Sequence, residues 1–374
     1  MTNKFLDLAA PGIRGLRPYQ PGKPIAELER ELGVTDIVKL ASNENPLGPA
    51  PRALAAIAAA AGDLARYPDA NGFELKRVLA ARHGVLPECI TLGNGSNDLL
   101  VLLAEAFLGP GLEAVYARHA FAVYALAVQA TGAEHRIAEA LPALHPDHPF
   151  GHDLDAMTAL VGPDTRLVFI ANPNNPTGTW LAADALERFV AALPGHVVVV
   201  VDEAYFEYVR EPGYPDASQW LDRYPHLVVT RTFSKAYGLA GLRIGYAVSS
   251  PAIADILNRI RQPFNTSSLA QAAALAALED EAHLARSIEL NAAERDRVGA
   301  ACAALGLGVV PSVGNFLLVD LRRDAQPIFE ALLRHGVIVR PVANYGLPEH
   351  LRISIGTAAE NDRLIAALRE VVGP

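Results

Sequence analysis

Short runs of consecutive apolar residues alternate with stretches of helical periodicity as far as about residue 250. The apolar runs predict short buried strands. They comprise residues 89–92, 114–116, 167–170, 197–201, 227–230 and 244–248. Helical patterns lie between several of them, for example at 98–107 and 183–192. Apolar strands that are joined by helical crossovers predict an α/β fold, with a mostly parallel sheet covered on both faces.

The two ends of the chain follow different patterns. Several prolines and glycines in the first 30 or so residues predict an extended arm. Pro251 opens a helix, and an alanine-rich helical pattern covers 267–305. The remaining predicted elements are strands at 315–320, 337–340 and 351–354 and helices at 325–335 and 358–371. This mixture is typical of a smaller α+β domain. We therefore expect an N-terminal arm at 1–35, a large domain at 36–265 and a small domain at 266–374.

Composition narrows the possible functions. The 374 residues are 51% hydrophobic, which suffices for a large core and suggests more than one domain. The formal net charge of −9 argues against nucleic acid or an anionic membrane as a partner. Cys89 and Cys302 cannot form a disulfide framework, and the N-terminus lacks the apolar core of a signal peptide. We expect a soluble, cytoplasmic protein that binds neither nucleic acid nor membrane.

One lysine stands alone in a long part of the chain. Lys235 is the only lysine between Arg77 and the C-terminus, whereas arginine supplies nearly all other positive charge there. An arginine side chain serves well as a cation, but it cannot lose its proton and attack a carbonyl group. Lys235 is therefore a candidate for imine chemistry, although an arginine-rich composition could also leave a lysine there by chance.

Polar residues follow four of the predicted strands. Ligands of an open parallel sheet bind outside the carboxyl ends of its strands. The polar segments at these ends are 93–97, 171–178, 202–205 and 232–235. They bring an amide, a carboxylate with a phenol, an amine and a glycine-rich helix start to one edge of the sheet.

Each segment also has an ordinary structural explanation. The Asn-Pro repeats at 172–176 are common turn formers, and Asp202 could simply end a buried strand. The segment around Gly95 could be a turn with a helix N-cap, and Arg243 could form a surface ion pair. The combination is much harder to explain in this way than any one of its parts.

Pyridoxal phosphate is one cofactor that requires all of these parts together. Lys235 would form an imine with the cofactor aldehyde, and Asp202 would stabilise a protonated pyridine nitrogen. Asn175 and Tyr205 fit as donors to the phenolic oxygen of the ring. A phosphate group needs backbone amides, hydroxyls and a fixed cation. The candidates are Gly95, Ser96, Asn97, Thr232, Ser234 and Arg243. The residues suggest no metal site.

With these residues the chain resembles the aspartate-aminotransferase-like fold of pyridoxal phosphate enzymes and, within it, the histidinol-phosphate aminotransferases. The resemblance runs nearly end to end. Its motifs are Arg-Pro-Tyr-Gln-Pro-Gly-Lys-Pro at 17–24, Leu-Ala-Ser-Asn-Glu-Asn-Pro-Leu-Gly-Pro at 40–49, Arg-Tyr-Pro-Asp at 66–69, Asn-Pro-Asn-Asn-Pro-Thr-Gly at 172–178, the segments 201–208 and 231–246, and Leu-Arg-Ile-Ser-Ile-Gly-Thr at 351–357. It implies a mostly parallel seven-stranded sheet between helices, with a smaller α+β domain.

The resemblance also implies roles that the residues alone do not show. Tyr67 would reach the cofactor phosphate of the neighbouring subunit, which makes the protein a homodimer with shared sites. Arg352 resembles the arginine that binds the substrate α-carboxylate in this fold, and its fork would equally accept a phosphate. Tyr19 and Arg340 match positions that are associated with the substrate phosphate, and Asn45, which lies in a motif of the subfamily, is expected to bind the substrate. The implied reaction exchanges an amino group between histidinol phosphate and 2-oxoglutarate.

One segment departs from the family pattern. The family has a proline, one residue and then a tyrosine stacked on the cofactor, where this chain has His119, Ala120 and Phe121. Phe121 keeps the aromatic face, and we expect His119 to form local hydrogen bonds. This difference leaves an aromatic amino acid aminotransferase as the main alternative. A phosphothreonine decarboxylase and a non-catalytic regulator that binds the cofactor remain as further alternatives.

Overall fold

A computed structural model describes residues 4–19 and 21–373. Residues 1–3, at the start of the predicted arm, and Gln20 in the 17–24 motif lie outside the described residues, as does residue 374. The strands are β1 (Val38–Lys39), β2 (Ile90–Gly93), β3 (Glu113–Ala117), β4 (Glu134–Ala138), β5 (Thr165–Ala171), β6 (Val198–Asp202), β7 (Leu227–Thr232), β8 (Gly245–Ser249), β9 (Gly308–Val310), β10 (Phe316–Asp320), β11 (Val337–Ile338), β12 (Arg340–Val342) and β13 (Leu347–Ser354).

The α-helices lie between these strands and at both ends of the chain. They are α1 (Pro11–Arg14), α2 (Ile25–Leu32), α3 (Pro51–Ala60), α4 (Phe73–His83), α5 (Ser96–Phe107), α6 (Ala122–Thr131), α7 (Leu154–Ala159), α8 (Ala183–Ala192), α9 (Pro251–Ile260), α10 (Ser268–Leu278), α11 (Glu281–Ala304), α12 (Ala325–Arg334) and α13 (Ala358–Val372). None of the helices in residues 4–19 and 21–373 is both long enough and apolar enough to cross a lipid bilayer.

The central sheet has seven strands in the order β2-β8-β7-β6-β5-β3-β4. Strands β7, β6, β5, β3 and β4 run parallel to one another, and β8 is antiparallel to both of its neighbours. The α/β class and the mostly parallel seven-stranded sheet are therefore confirmed. One large hydrophobic cluster joins this sheet to residues of helices α3 to α10. It is the main core of the molecule.

A second, antiparallel sheet has the order β12-β13-β10-β9. Its core is a separate hydrophobic cluster that includes residues of α11, α12 and α13. The helical pattern at 267–305 is two helices, since α10 ends at Leu278 and Asp280 caps α11 by accepting a hydrogen bond from the His283 N–H. Residues 38–39 of β1 pair in parallel with β11, so the start of the predicted large domain contacts the C-terminal part. The division into domains stays a prediction.

Candidate active site

A cavity of about 620 Å³ lies at the carboxyl ends of β5, β6 and β7 and extends to the second sheet. Most residues that the sequence singled out line it. They are Tyr19, Ser96, Asn97, Phe121, Asn175, Asp202, Tyr205, Thr232, Ser234, Lys235, Arg243, Arg340 and Arg352. The fold therefore collects side chains as distant in the sequence as Tyr19 and Arg352 in one concave site.

The polar residues at the ends of β6 and β7 lie on two opposite faces of the sheet. Successive side chains of a strand point to opposite faces of the sheet. Asp202 and Thr232 line the cavity, whereas Glu203 and Arg231 lie on the other side. There the Arg231 guanidinium donates to Glu203 Oε2 through Nε at 2.9 Å and Nη2 at 2.7 Å. This buried ion pair ties the ends of the two strands together, which fixes the positions of Asp202 and Thr232.

Lys235 is partly buried at the floor of the cavity. Its Nζ donates a hydrogen bond to the Ser42 carbonyl oxygen at 3.2 Å. Burial, and next the positive charge of Arg352, lower the pKa of Lys235 to about 7. A large fraction of the side chain is therefore uncharged near neutral pH. An uncharged amine in a cavity can add to a carbonyl group.

Asp202 lies buried at the end of β6. Its Oδ2 accepts a hydrogen bond from Tyr124 at 3.0 Å, and its Oδ1 accepts one from Thr230 Oγ1 at 3.0 Å. Burial raises the pKa of Asp202 to about 6, although both hydrogen bonds favour the carboxylate. A cation in the cavity would stabilise this carboxylate, since no protein cation forms a salt bridge with it among the described residues.

An anion cradle is formed where α5 begins. The residue before the helix, Gly95, has a φ of 85° and gives no side-chain cap to the first N–H groups. A Cβ at Gly95 would overlap the guanidinium of Arg243, whose Nη1 donates to Ser234 Oγ at 3.2 Å. The helix start, the hydroxyl of Ser234 and the arginine thus converge on one point. This is the arrangement that binds phosphate groups in proteins.

The second sheet provides two buried arginines that face each other. Arg340 on β12 and Arg352 on β13 are register partners, and both line the cavity. Arg352 donates to Asn175 Oδ1 and to the Ala41 carbonyl oxygen, each at 2.6 Å, whereas its Nε has no hydrogen-bond partner in the described part of the chain. The guanidinium of Arg340 lies 5.7 Å from the ring centre of Tyr19. Like charges opposite each other destabilise a sheet, so the pair favours an anionic ligand.

Three of the predicted site residues do not line the cavity. Gly95 contributes backbone to the cradle, as described. The Asn45 amide donates to the Ala236 carbonyl oxygen and to Ser287 Oγ, so it holds the segment that follows Lys235. Tyr67 is 81% exposed and stacks on Phe264 at 4.6 Å. It therefore lies on the surface of its own chain.

The structure also shows residues that sequence reasoning missed. Asn43 and Tyr124 both hydrogen-bond to predicted cofactor residues. Asn43 belongs to the 40–49 motif, but its backbone conformation and its partners are not visible in the sequence. His119 forms a hydrogen bond with the Tyr345 carbonyl oxygen through Nδ1 at 2.7 Å, which agrees with the expectation of local hydrogen bonding. Burial lowers the pKa of His119, so the ring is neutral at pH 7.

Comparison with known proteins gives consistent matches over almost the whole chain. Residues 35–368 match the family model of aminotransferase class I and II. Histidinol-phosphate aminotransferase 2 of Pseudomonas aeruginosa is 59% identical over 370 residues, which cover 98% of each chain. The same-named protein of Methylococcus capsulatus is 58% identical and covers 98% of this chain and 99% of its own. The crystal structure of histidinol-phosphate aminotransferase from Sinorhizobium meliloti in complex with pyridoxal-5′-phosphate is 36% identical, with a TM-score of 0.88 and 97% of both chains covered.

Proposed function

This chain belongs to the aminotransferase class I and II family, and from that premise we propose that it is a histidinol-phosphate aminotransferase. In the biosynthetic direction it would convert glutamate and imidazole-acetol phosphate into 2-oxoglutarate and histidinol phosphate. The observation that carries this proposal is one cavity with three features. It contains an amine of lowered pKa, an anion cradle at a helix start and a separate pair of buried arginines.

The cofactor that these residues fit is pyridoxal 5′-phosphate. When bound, it supplies an aldehyde to which amines add and a protonated pyridine ring that withdraws electrons from the substrate. The uncapped start of α5 and Arg243 suit its phosphate, and the Asp202 carboxylate, which has no salt bridge among the described residues, suits its ring nitrogen. Asn175 and Tyr205 are the candidates to hold its phenolic oxygen, and Phe121 to cover its ring.

Lys235 is proposed to hold the cofactor and to move the proton. Its Nζ is the nucleophile, because its lowered pKa leaves it uncharged near neutral pH. Once the substrate amine has taken its place, Nζ is free to accept a proton from the substrate α-carbon and to donate it two atoms further along, which is a 1,3-proton shift. The Ser42 carbonyl oxygen, 3.2 Å away, orients the side chain. Such an enzyme exchanges two substrates in turn, so we expect ping-pong kinetics.

The arginine pair explains how one site could bind two different anions. Glutamate and 2-oxoglutarate carry carboxylates, whereas histidinol phosphate carries a phosphate in place of an α-carboxylate. A guanidinium fork binds either group. The unpartnered Nε of Arg352 and the neighbouring Arg340 support this assignment. Tyr19, beside Arg340, is placed to contact the same phosphate.

The proposed enzyme is a homodimer in the cytoplasm. In this arrangement Tyr67 enters the site of the partner subunit and contacts the cofactor phosphate there. Tyr67 is exposed and does not line the cavity of its own chain, and both observations support this role, because a stacked surface tyrosine is available to a second copy. Two free cysteines, both buried, are compatible with a reducing compartment.

A substrate panel tests the proposed reaction. The purified protein, loaded with cofactor, is assayed for amino transfer to 2-oxoglutarate from histidinol phosphate, phenylalanine and tyrosine, with Lys235→Ala as the inactive control. We expect the highest kcat/KM with histidinol phosphate. A higher value with phenylalanine or tyrosine would instead identify an aromatic amino acid aminotransferase, which the apolar cavity residues Leu16 and Leu126 could accommodate. Release of carbon dioxide from phosphothreonine, without 2-oxoglutarate, would identify a decarboxylase.

A further inference from the structure

We propose that Asn43 is a positioning residue that fixes the direction of the Tyr205 hydroxyl proton, so that Tyr205 donates into the cavity. The proposal deepens the proposed function and rests on it, since Tyr205 is there assigned to the phenolic oxygen of the cofactor. Asn43 itself lines the cavity, and in this proposal it acts through its hydrogen bond to Tyr205.

Asn43 is held rigidly in the loop after β1. It is 1% exposed and has a φ of 53°, a left-handed conformation that asparagine tolerates better than most residues. Its backbone N–H donates to Ser354 Oγ at 2.8 Å, and its carbonyl oxygen accepts from Asn315 Nδ2 at 3.0 Å. Its side chain forms two further hydrogen bonds, to Ser354 Oγ at 2.8 Å and to the Tyr205 hydroxyl at 2.9 Å.

The hydroxyl of Ser354 decides which way the Asn43 amide is turned. Ser354 Oγ accepts the backbone N–H of Asn43, and its own proton needs an acceptor. Asn43 Oδ1 is that acceptor, because Ser354 Oγ has no other hydrogen-bond partner in residues 4–19 and 21–373. If the amide were reversed, the buried serine proton would have no acceptor, which is costly.

The orientation of Asn43 then decides the role of Tyr205. With Oδ1 facing Ser354, the Nδ2 group of Asn43 donates to the phenol oxygen of Tyr205. The Tyr205 proton cannot point back at a donor, and it is left for an acceptor in the cavity that Tyr205 lines. Burial raises the pKa of Tyr205 to about 12, so the proton is present at any working pH. The hydrogen bonds from Ser354 to Asn43 and from Asn43 to Tyr205 thus run in one direction. This polarity leaves Tyr205 as a hydrogen-bond donor toward the cofactor.

This polarity has a measurable consequence for the bound cofactor. A hydrogen-bond donor to the phenolic oxygen stabilises the negative charge of that oxygen. The oxygen then attracts the proton on the nitrogen of the Lys235 link less strongly, so the nitrogen loses this proton more easily. The pKa of that link, read from the absorbance of the cofactor as a function of pH, should therefore be low in the native protein. We expect Tyr205→Phe to raise this pKa by about 1 to 2, because loss of a hydrogen bond to a charged group changes a pKa by about that amount.

Two substitutions of Asn43 test the proposal by the same titration. Asn43→Gly suits the left-handed backbone and removes the amide, so Tyr205 can turn and the pKa should rise by part of the Tyr205→Phe effect. Asn43→Asp places an acceptor beside the phenol and should raise the pKa by more than Asn43→Gly does, because it draws the Tyr205 proton away from the cavity. Asn43→Gly is also made in the Tyr205→Phe background, where it should add no further shift.

The outcomes separate this proposal from the proposed function. Failure of the native protein to form a coloured link to Lys235 would overturn both. A normal link whose pKa stays unchanged in both single variants would overturn the role of Asn43 alone. A shift of Asn43→Gly that persists in the Tyr205→Phe background would also overturn it, because the substitution would then act through packing and not through the hydroxyl. If Asn43→Asp fails to bind cofactor, Asn43→Gly decides.

Discussion

Lys235 combines a reactive amine with surroundings that keep it partly uncharged. Because burial and Arg352 lower its pKa to about 7, the uncharged fraction rises mainly between pH 6 and pH 8. We expect the rate at which cofactor-free protein captures pyridoxal phosphate to rise over this range and to level off above it. Stopped-flow absorbance at a series of pH values measures this rate. A rise that continues steadily through pH 9 would indicate an ordinary lysine.

Asp202 should reduce the stability of the cofactor-free protein at neutral pH. Its pKa is raised to about 6 in the folded state, so the folded chain binds this proton more tightly than the unfolded chain does. The cost of burying the carboxylate is absent below about pH 4 and fully present above pH 6. Asp202→Asn should therefore stabilise the cofactor-free protein more at pH 7.5 than at pH 4.5, on the order of 1–3 kcal/mol.

Urea unfolding of the cofactor-free variants at the two pH values measures this difference. Asp63→Asn, at an exposed carboxylate, is the control and should show little change between them. An equal effect of Asp202→Asn at both pH values would show that Asp202 keeps an ordinary pKa. In the presence of cofactor the sign should reverse, because Asn cannot pair with the protonated ring nitrogen.

At the residue scale, the sequence identifies the residues that carry the proposed chemistry better than the residues that hold them in position. Lys235 and Asp202 stand out by their type and by their position after apolar strands. Asn43 and Tyr124 do not, because their roles depend on partners 311, 162 and 78 positions away and on a positive φ. Only the folded chain brings such partners together.

The start of α5 depends on a glycine for its function as an anion cradle. Gly95 has a φ of 85°, and a Cβ there would overlap the Arg243 guanidinium. Gly95→Ala should displace Arg243 and weaken the affinity for pyridoxal phosphate by more than about tenfold, which corresponds to one displaced charged contact. Equilibrium titration of the cofactor-free protein measures this affinity.

Gly195→Ala is the matched control, because a Cβ at Gly195 meets no atom within 4 Å and its φ is not positive. We expect the control to bind the cofactor as the native chain does. Unchanged affinity in Gly95→Ala would mean that the cradle is not the phosphate site, whereas equal weakening in both variants would indicate a general effect on folding.

At the scale of elements, strands were predictable where they are buried on both faces. The six strands predicted before residue 250 correspond to β2, β3, β5, β6, β7 and β8, whose residues are almost all buried. Strand β4 was missed because it lies at the edge of the sheet, where Glu134, Arg136 and Ile137 are exposed and no apolar run forms. The break between α10 and α11 was also missed, since Asp280 interrupts an otherwise continuous helical pattern.

At the scale of the whole molecule, the proposed dimer makes each active site depend on two chains. Tyr67→Ala should impair the site of the partner, whereas Lys235→Ala inactivates the site of its own chain. Unfolded and refolded together in equal amounts, the two variants should form hybrid dimers with one intact site. Because half of the dimers are hybrids and each has one of two sites intact, we expect about a quarter of the native activity.

Each variant refolded alone is the control for this complementation experiment. No gain on mixing, with hybrid formation verified by differently tagged chains, would argue against a shared site. The sequence could indicate this arrangement only through resemblance. On its own chain Tyr67 is merely an exposed aromatic residue beside Phe264, and nothing in its surroundings marks it as a ligand contact.

The central claim is that Lys235 alone holds the cofactor. Treatment of the cofactor-saturated protein with borohydride, followed by proteolysis and mass spectrometry, locates the attachment directly. The account predicts a single reduced pyridoxyl phosphate adduct on the peptide that contains Lys235, and none on Lys4, Lys23, Lys39 or Lys76. Absence of an adduct at Lys235 in a saturated sample would contradict it.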